Sequence, residues 1–412
     1  MRRVVVTGIG AITPIGNNYK DYTSNLFAGK SGAGIITKFD PEKFKTKIAC
    51  EVKEYNPLDY FDRKEVKRLD SFSQYALISA AEAMQHSGLD VETLDLRRAG
   101  VIWASGIGGF ETIENQVEQA TLAGMPRYSP FLIPRLILDI AAGHISMKYG
   151  FRGPNYCTVS ACASSTQSIS NAFDLIRLGR ADVVITGGSE ASVTKAGIGG
   201  FSAMKALSTR NEDPEKASRP FDADRDGFVL GEGGAALVLE EYEASKARGA
   251  TIHAEIVGCH STADAYHLTA PHPEGLGAME VMQGAIADAG ITPEDIDYIN
   301  VHGTSTPLGD VAETKAIKKV FGDHIYKLNI SSTKSMTGHL LGAAGAIEAV
   351  ACIAAINNGK VPPTINHESH DPDFDEKINF TLNSAQDRDI TYALSNTFGF
   401  GGHNSTVIIK KV

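Results

Sequence analysis

Tryptophan occurs once and cysteine five times in 412 residues, and both scarcities narrow the field. The cysteines, Cys50, Cys157, Cys162, Cys259 and Cys352, are odd in number, scattered and free of CxxC spacing. That pattern excludes a disulfide framework or zinc knuckle and fits a reducing compartment. Positive charge is short as well: 39 Lys and Arg against 49 Asp and Glu leave a net charge of −10. Bulk-charge binding of nucleic acid is thereby excluded, and only local basic patches remain to be considered. No stretch approaches the roughly 18 consecutive apolar residues of a membrane helix. The apolar run after Arg2 and Arg3 is too brief for a secretory leader and reads as a first strand. Linkers, charge blocks and low-complexity tracts are missing, so any domains pack closely. With 42% hydrophobic and 21% charged residues, the expectation is a globular, cytoplasmic protein.

Short β-rich runs alternate with helical patterns: VVVTGI at Val4, AGVIWAS at Ala99, ADVVITGG at Ala181, AALVLEE at Ala235, DYINVHG at Asp297 and ITYALSN at Ile390. This rhythm predicts an α/β fold with layered sheets. Two segments echo one another. After Cys162, Ile169, Ala172, Phe173 and Ile176 recur at helical spacing up to Gly179; after His339, Ile347, Val350, Ala351 and Ala354 do so up to Gly359. Glycine at each end is a helix stop signal. A two-fold repeat would bring both helix starts to one interface, although buried alanine-rich helices also resemble each other without one.

Three motifs invite chemistry and are better read as structure. Gly8, Gly10 and Gly16 in VTGIGAITPIGN fail the GxGxxG register, and Pro14 interrupts the helix that should follow,. SGIGG at Ser105–Gly109 has no GK[ST] ending and reads as close backbone packing,. His367, His370, Asp371 and Asp373 share a proline-containing polar loop, with no third histidine or cysteine at ligand spacing; a solvated turn is expected there,.

TVSACASST is different, because it places Cys162 among small residues at the start of a helical pattern. The helix dipole there is expected to give the thiol thiolate character. A buried structural cysteine is the alternative on this segment alone. VHGTSTPLGD around His302 and SSTKSMTGHLLGAAG around Lys334 and His339 set two histidines beside glycine and small polar residues. A soft thiol suits thioester chemistry, and neutral imidazole N–H groups suit stabilisation of a developing oxyanion.

These segments, with SNTFGFGGHN near the C-terminus, resemble the elongating β-ketoacyl-[acyl-carrier-protein] synthases, thiolase-like condensing enzymes, and within them most closely the bacterial synthase II type. The resemblance runs from Val4 to Ile409. It implies a thiolase-like five-layered αβαβα fold of two similar halves, here residues 1–250 with the cysteine and 251–412 with the histidines, and a homodimer. The implied reaction is a decarboxylative Claisen condensation. Cys162 matches the nucleophile that takes the acyl chain, and His302 and His339 match the pair that hydrogen-bonds the malonyl thioester carbonyl as carbon dioxide leaves. Backbone N–H groups of Cys162 and Phe400 match the oxyanion donors, and Lys334 with Glu348 matches a supporting ion pair.

Thr304 and Thr306 match hydroxyls that bind the phosphopantetheine arm, and Ile107, Phe201 and Phe398 match substrate-pocket positions. GFGGHN and the neighbouring DAYHLTAP segment, Asp264–Pro271, are expected to move as loops around Phe400; His403 stands where many members carry threonine. No metal and no resident cofactor are expected, since phosphopantetheine enters on the carrier-protein substrate. The implied partners are acyl-[acyl-carrier protein] and malonyl-[acyl-carrier protein], with no nucleic acid and no membrane. An acidic carrier needs a basic patch, and Arg63, Lys64, Lys67, Arg68, Arg127 and Lys205 are the docking candidates, with Lys64, Lys67 and Arg68 on one helix face,. A discrete polyketide ketosynthase and a catalytically silent chain-length factor are the rival readings. The first is disfavoured by the absence of appended transferase or carrier sequence, the second by the presence of Cys162, His302, Lys334 and His339.

Overall fold

The computed structural model describes residues 1–125 and 127–412. Ten strands form its main sheet. In the first half these are β1 (Val4–Ile12), β2 (Ala99–Ala104), β3 (Asn155–Thr158), β4 (Val183–Glu190) and β5 (Gly233–Glu241). In the second they are β6 (Ala254–Ala263), β7 (Tyr298–Asn300), β8 (Asn329–Ser331), β9 (Tyr392–Gly399) and β10 (His403–Lys410). The spatial order is β3-β2-β4-β5-β1-β6-β10-β9-β7-β8. Adding five to a strand's number gives its counterpart in the other half. Pairing directions repeat too: β2 is parallel to β3 and β4, as β7 is to β8 and β9, while β5 and β10 run antiparallel to their neighbours. A short antiparallel pairing of β1 with β6, Val4 opposite Ile256, joins the halves.

Four helices complete the layering: α1 (Ser71–Ser87), α2 (Ser164–Arg177), α3 (Leu276–Ala289) and α4 (Ala344–Asn358). α1 covers β1 and β5 on one outer side, and α3 covers β6 and β10 on the other. Between them α2 and α4 pack on each other and on strands of both halves. This is the five-layered order expected. Because both faces of the strands are covered, β1 is buried along its whole length and reads as a continuous apolar run with no alternation,. Its glycines serve that packing: a Cβ on Gly8 would lie 2.1 Å from the Ala83 carbonyl oxygen, and one on Gly10 2.0 Å from that of Ser79. The VTGIGAITPIGN segment is therefore strand and helix contact, not a phosphate loop.

The central pair carries the internal echo. Ile169, Phe173 and Ile176 of α2 share one apolar cluster with Ile347, Val350 and Ile353 of α4. Gly179 and Gly359 follow the two helices with φ of +70° and +59°, the left-handed stop that the sequence signals,. At their N-termini the helices touch, the Ala346 N–H donating to Ser165 Oγ at 2.9 Å. The segment Leu341–Asn358 is the one among the described residues long and apolar enough in average composition to cross a membrane, though Gly342, Gly345 and Glu348 interrupt its apolar run. It is buried as the core helix of the middle layer.

Candidate active site

Cys162 lies just ahead of α2, in a turn held by its own side chains. Ser164 Oγ accepts the Ser160 N–H at 2.9 Å and donates to the Ala161 carbonyl at 2.6 Å, and Ala161 adopts φ +50°. A non-glycine residue in the left-handed region is strained, and such strain clusters at functional sites. The turn presents Sγ to His339, whose Nε2 lies 3.0 Å away. His339 occupies the matching position ahead of α4. Its Nδ1 accepts the Leu341 N–H at 3.3 Å, which leaves the ring proton on Nε2, facing the sulfur,.

His302 follows β7 and completes the cluster, its ring 5.3 Å from that of His339 and nearly perpendicular to it. One donor atom from each of Cys162, His302 and His339 lies within 4.8 Å of the others. Both imidazoles are held well below their ordinary range, by burial first and then by the Lys334 ammonium, so both are neutral,. Lys334 is paired with Glu348, and both are buried. Burial pushes the Glu348 carboxyl up to about 7 against the pull of Lys334. The thiol departs from the expectation: burial pushes Cys162 up to about 12, outweighing the opposing effects of Lys334 and of the Phe400 N–H. The resting nucleophile is a thiol, because desolvation of the anion exceeds what the helix start returns.

A pocket of about 420 Å³ opens above this cluster. Phe398, Phe400, Phe201, Thr304 and Thr306 line it, with Lys205 in its wall and exposed to solvent. Thr304 and Thr306 hydroxyls lie 3.0 Å apart, and the Phe201 and Phe400 rings 6.5 Å apart. Ile107 does not line the pocket; it packs behind it in the apolar cluster containing Cys162, Phe201 and Phe228. The glycine-rich GFGGHN loop and the Asp264–Pro271 segment are tied together. Asp264 donates its N–H to the Gly402 carbonyl at 2.9 Å, Gly401 donates to Leu268 at 2.7 Å, and Asn404 Nδ2 donates to Asp264 Oδ1 at 2.8 Å.

The basic patch needs correction. The helix spanning Arg63–Val66 is a single turn, capped by Asp62 and Glu65, with Lys67 as its C-cap and Arg68 beyond it. Lys64, Lys67 and Arg68 therefore do not lie along one extended helix, since Lys67 caps the turn, Arg68 follows it and the next helix begins at Ser71. Arg68 instead lies over the Phe131 ring at 5.3 Å. Arg63, Lys64, Lys67, Arg68 and Arg127 are exposed. Around His367 the polar loop is pinned by ion pairs, Asp371 to Arg225 and Glu368 to Arg219.

Sequence reading missed three residues that shape the site. Glu313 accepts the N–H groups of His302 and Gly303 at 2.9 Å each and fixes the His302 turn. Phe228 meets the His339 ring edge-on at 5.2 Å. Glu190 is buried beside the cysteine cluster. An acid one helix start beyond HGTSTP is a findable signal for Glu313; Phe228, in an isolated bridge with Leu207, and Glu190, at the end of a distant strand, leave none.

Comparison with known proteins agrees with this geometry. Residues 1–245 match the model for the N-terminal domain of β-ketoacyl synthases and residues 253–368 that for the C-terminal domain. The chain is 51% identical over 410 residues, 100% of its length and 98% of the relative's, to a 3-oxoacyl-[acyl-carrier-protein] synthase 2 of Staphylococcus aureus. It is 49% identical over 411 residues, 100% and 99% of the two chains, to the protein of that name in Coxiella burnetii. A solved structure of a type II polyketide acyl-carrier protein with its ketosynthase, bound to the hexaketide, superposes with a TM-score of 0.91 at 35% identity, covering 100% of both chains.

Proposed function

We infer the reaction from one premise: the chain belongs to the β-ketoacyl synthase family. It condenses acyl chains in fatty-acid elongation, joining an acyl group held on Cys162 to malonyl-[acyl-carrier protein] and releasing β-ketoacyl-[acyl-carrier protein] and carbon dioxide. In class terms it is an acyltransferase. The observation that carries the reading is the buried Cys162 Sγ, 3.0 Å from His339 Nε2, with neutral His302 beside them at the base of one pocket.

The steps follow from that geometry. The Cys162 thiol attacks the carrier thioester, the carrier thiolate leaves with the proton, and acyl-Cys162 remains. N–H groups of Cys162 and Phe400 are the donors for the oxyanion of this step. Malonyl thioester then enters, and its carbonyl accepts from the His302 and His339 imidazoles. The enolate formed as carbon dioxide departs is stabilised by these donors and attacks the acyl carbonyl, expelling Cys162 thiolate, which takes a proton from solvent. Neutral imidazoles suit this role, since they donate without offering an acidic proton that would quench the enolate. Lys334 and Glu348 orient the site and set its field.

Thr304 and Thr306 take the phosphopantetheine arm that the carrier brings, a role supported by their hydroxyls lining the pocket, and the scheme uses no resident cofactor or metal. Lys205, exposed in the pocket wall, leads the docking residues for an acidic carrier, with Arg63, Lys64, Lys67, Arg68 and Arg127 as a looser patch. A homodimer is supported by the edge strand β3, where Asn155 and Tyr156 are exposed while the opposite edge, β8, is buried,. Five unpaired cysteines fit a reducing, cytoplasmic setting,.

The test supplies purified acyl- and malonyl-[acyl-carrier protein] and follows the carrier-bound product by mass. One two-carbon extension per primer, with carbon dioxide released in equal amount, is expected. Repeated extension without reduction would favour a polyketide synthase, and no product would favour a silent partner.

A further inference from the structure

Glu190 ends β4, is fully buried and has no cationic partner among the described residues. Five donors converge on its carboxylate instead. Oε2 accepts the N–H groups of Gly106 at 2.7 Å and Gly342 at 3.0 Å. Oε1 accepts the Ile107 N–H at 3.2 Å and the hydroxyls of Ser105 at 3.1 Å and Ser192 at 3.3 Å. The two segments it holds come from opposite halves of the chain and are in contact. A Cβ on Gly342 would lie 2.2 Å from the Gly106 nitrogen and 2.8 Å from Glu190 Oε2.

Each segment leads to a different part of the reaction. Gly342 follows Leu341, which is held at φ +47° and whose N–H reaches His339 Nδ1. That hydrogen bond keeps the imidazole proton on Nε2, and a strained turn persists only where its surroundings over-determine it. Ile107, on the other segment, packs in the apolar cluster that contains Cys162.

We propose that Glu190 is a positioning residue that ties two segments together: Oε2 bridges Gly342, in the Leu341 turn that orients His339, to Gly106, and Oε1 completes the hold on the Ile107 loop that shapes the acyl site. Chain acceptance and condensation are thereby set by one carboxylate. The proposal deepens the condensing-enzyme reading and rests on it. An amide is the discriminating replacement, since glutamine keeps the shape but turns an N–H₂ toward donors on one side.

The experiment compares full-length wild type, Glu190→Gln and Ser105→Ala in separated half-reactions, read by intact mass: loading of Cys162 from short- and long-chain acyl-carrier protein, then discharge by malonyl-carrier protein. For Glu190→Gln, discharge slows about tenfold or more, as expected for a buried donor left unpaired, and long-chain loading slows more than short-chain loading. The pH profile of Cys162 alkylation by iodoacetamide also shifts to lower pH, because one of the carboxylates that disfavour the thiolate is neutralised,. Ser105→Ala removes an Oε1 donor and the acceptor of the Gly108 N–H, both on the Ile107 loop, and keeps the Gly342 bond to Oε2; it slows long-chain loading and leaves discharge within about twofold of wild type,. Equal losses in both half-reactions at every chain length, or none, with an unmoved alkylation profile, would overturn the proposal while wild type remains competent. A wild type that takes up no acyl group would overturn the functional reading and this proposal with it.

Discussion

The neutral state of the two histidines makes a quantitative claim about stability. Burial and Lys334 hold both imidazoles well below the ordinary value of 6.5. Below that value the unfolded chain binds protons that the folded chain does not, so stability is present above pH 6.5 and falls as pH drops. Each such group contributes a slope of about 1.4 kcal/mol per pH unit, so the pair removes about 4 kcal/mol by about pH 5. Buried carboxyls act in the opposite sense: Glu313 and Glu348 are raised to about 7, bind protons more readily when folded, and favour the fold on the acid side. The wild-type curve is a sum, and the comparison with His302→Gln/His339→Gln isolates the imidazoles. Trp103 is the sole tryptophan, fully buried with its Nε1 donating to Ser189 Oγ at 2.9 Å, and its fluorescence reports urea unfolding. Between about pH 8 and about pH 5 the wild type should lose about 4 kcal/mol more than the variant. Curves that stay parallel within about 1 kcal/mol would refute the neutral, desolvated histidines.

Three further outcomes are expected. Lys334→Met strands the buried Glu348 carboxylate and should cost about 3–5 kcal/mol, whereas Lys334→Met/Glu348→Leu should recover most of it without recovering condensation; a double variant less stable than the single in urea contradicts the pairing. Gly342→Ala puts a methyl 2.2 Å from the Gly106 nitrogen, and a thermal melt should show a loss of about 1–3 kcal/mol together with impaired condensation,. An unchanged melt would show that the two segments are not in tight contact. Lys205→Glu at the pocket should raise KM for the carrier protein, leave kcat unchanged and flatten the salt dependence of kcat/KM,. Identical KM values at low and high salt would remove Lys205 from docking.

Much of this architecture is legible in the chain because apolar runs and helix stops are local signals. All six β-rich runs from Val4 to Ile390 became strands, and Gly179 and Gly359 ended their helices as read. Strands with weaker signals went unread. β3 is an exposed edge, and β6 carries Gly258, His260 and Ser261 within its run, so neither presents a clean apolar period. Cys162, His302, Lys334 and His339 announce themselves through compact motifs, and the repeat explains why they meet: both helix starts lie at the junction of the halves. Their electrostatics were not legible. The dipole argument for Cys162 treats one helix start in isolation, whereas burial, which only the fold creates, dominates. Glu190 was invisible for the same reason, its five donors coming from three separate segments in two halves.

The most direct test of the central claim is the mass of the protein itself. Wild type and Cys162→Ala are incubated with acyl-[acyl-carrier protein] and weighed, then malonyl-[acyl-carrier protein] is added. The account predicts one acyl group on wild type, none on the variant, and its discharge as β-ketoacyl carrier when malonyl carrier arrives. Acylation that survives in Cys162→Ala, or an acyl group on Cys162 that malonyl carrier never removes, would contradict it.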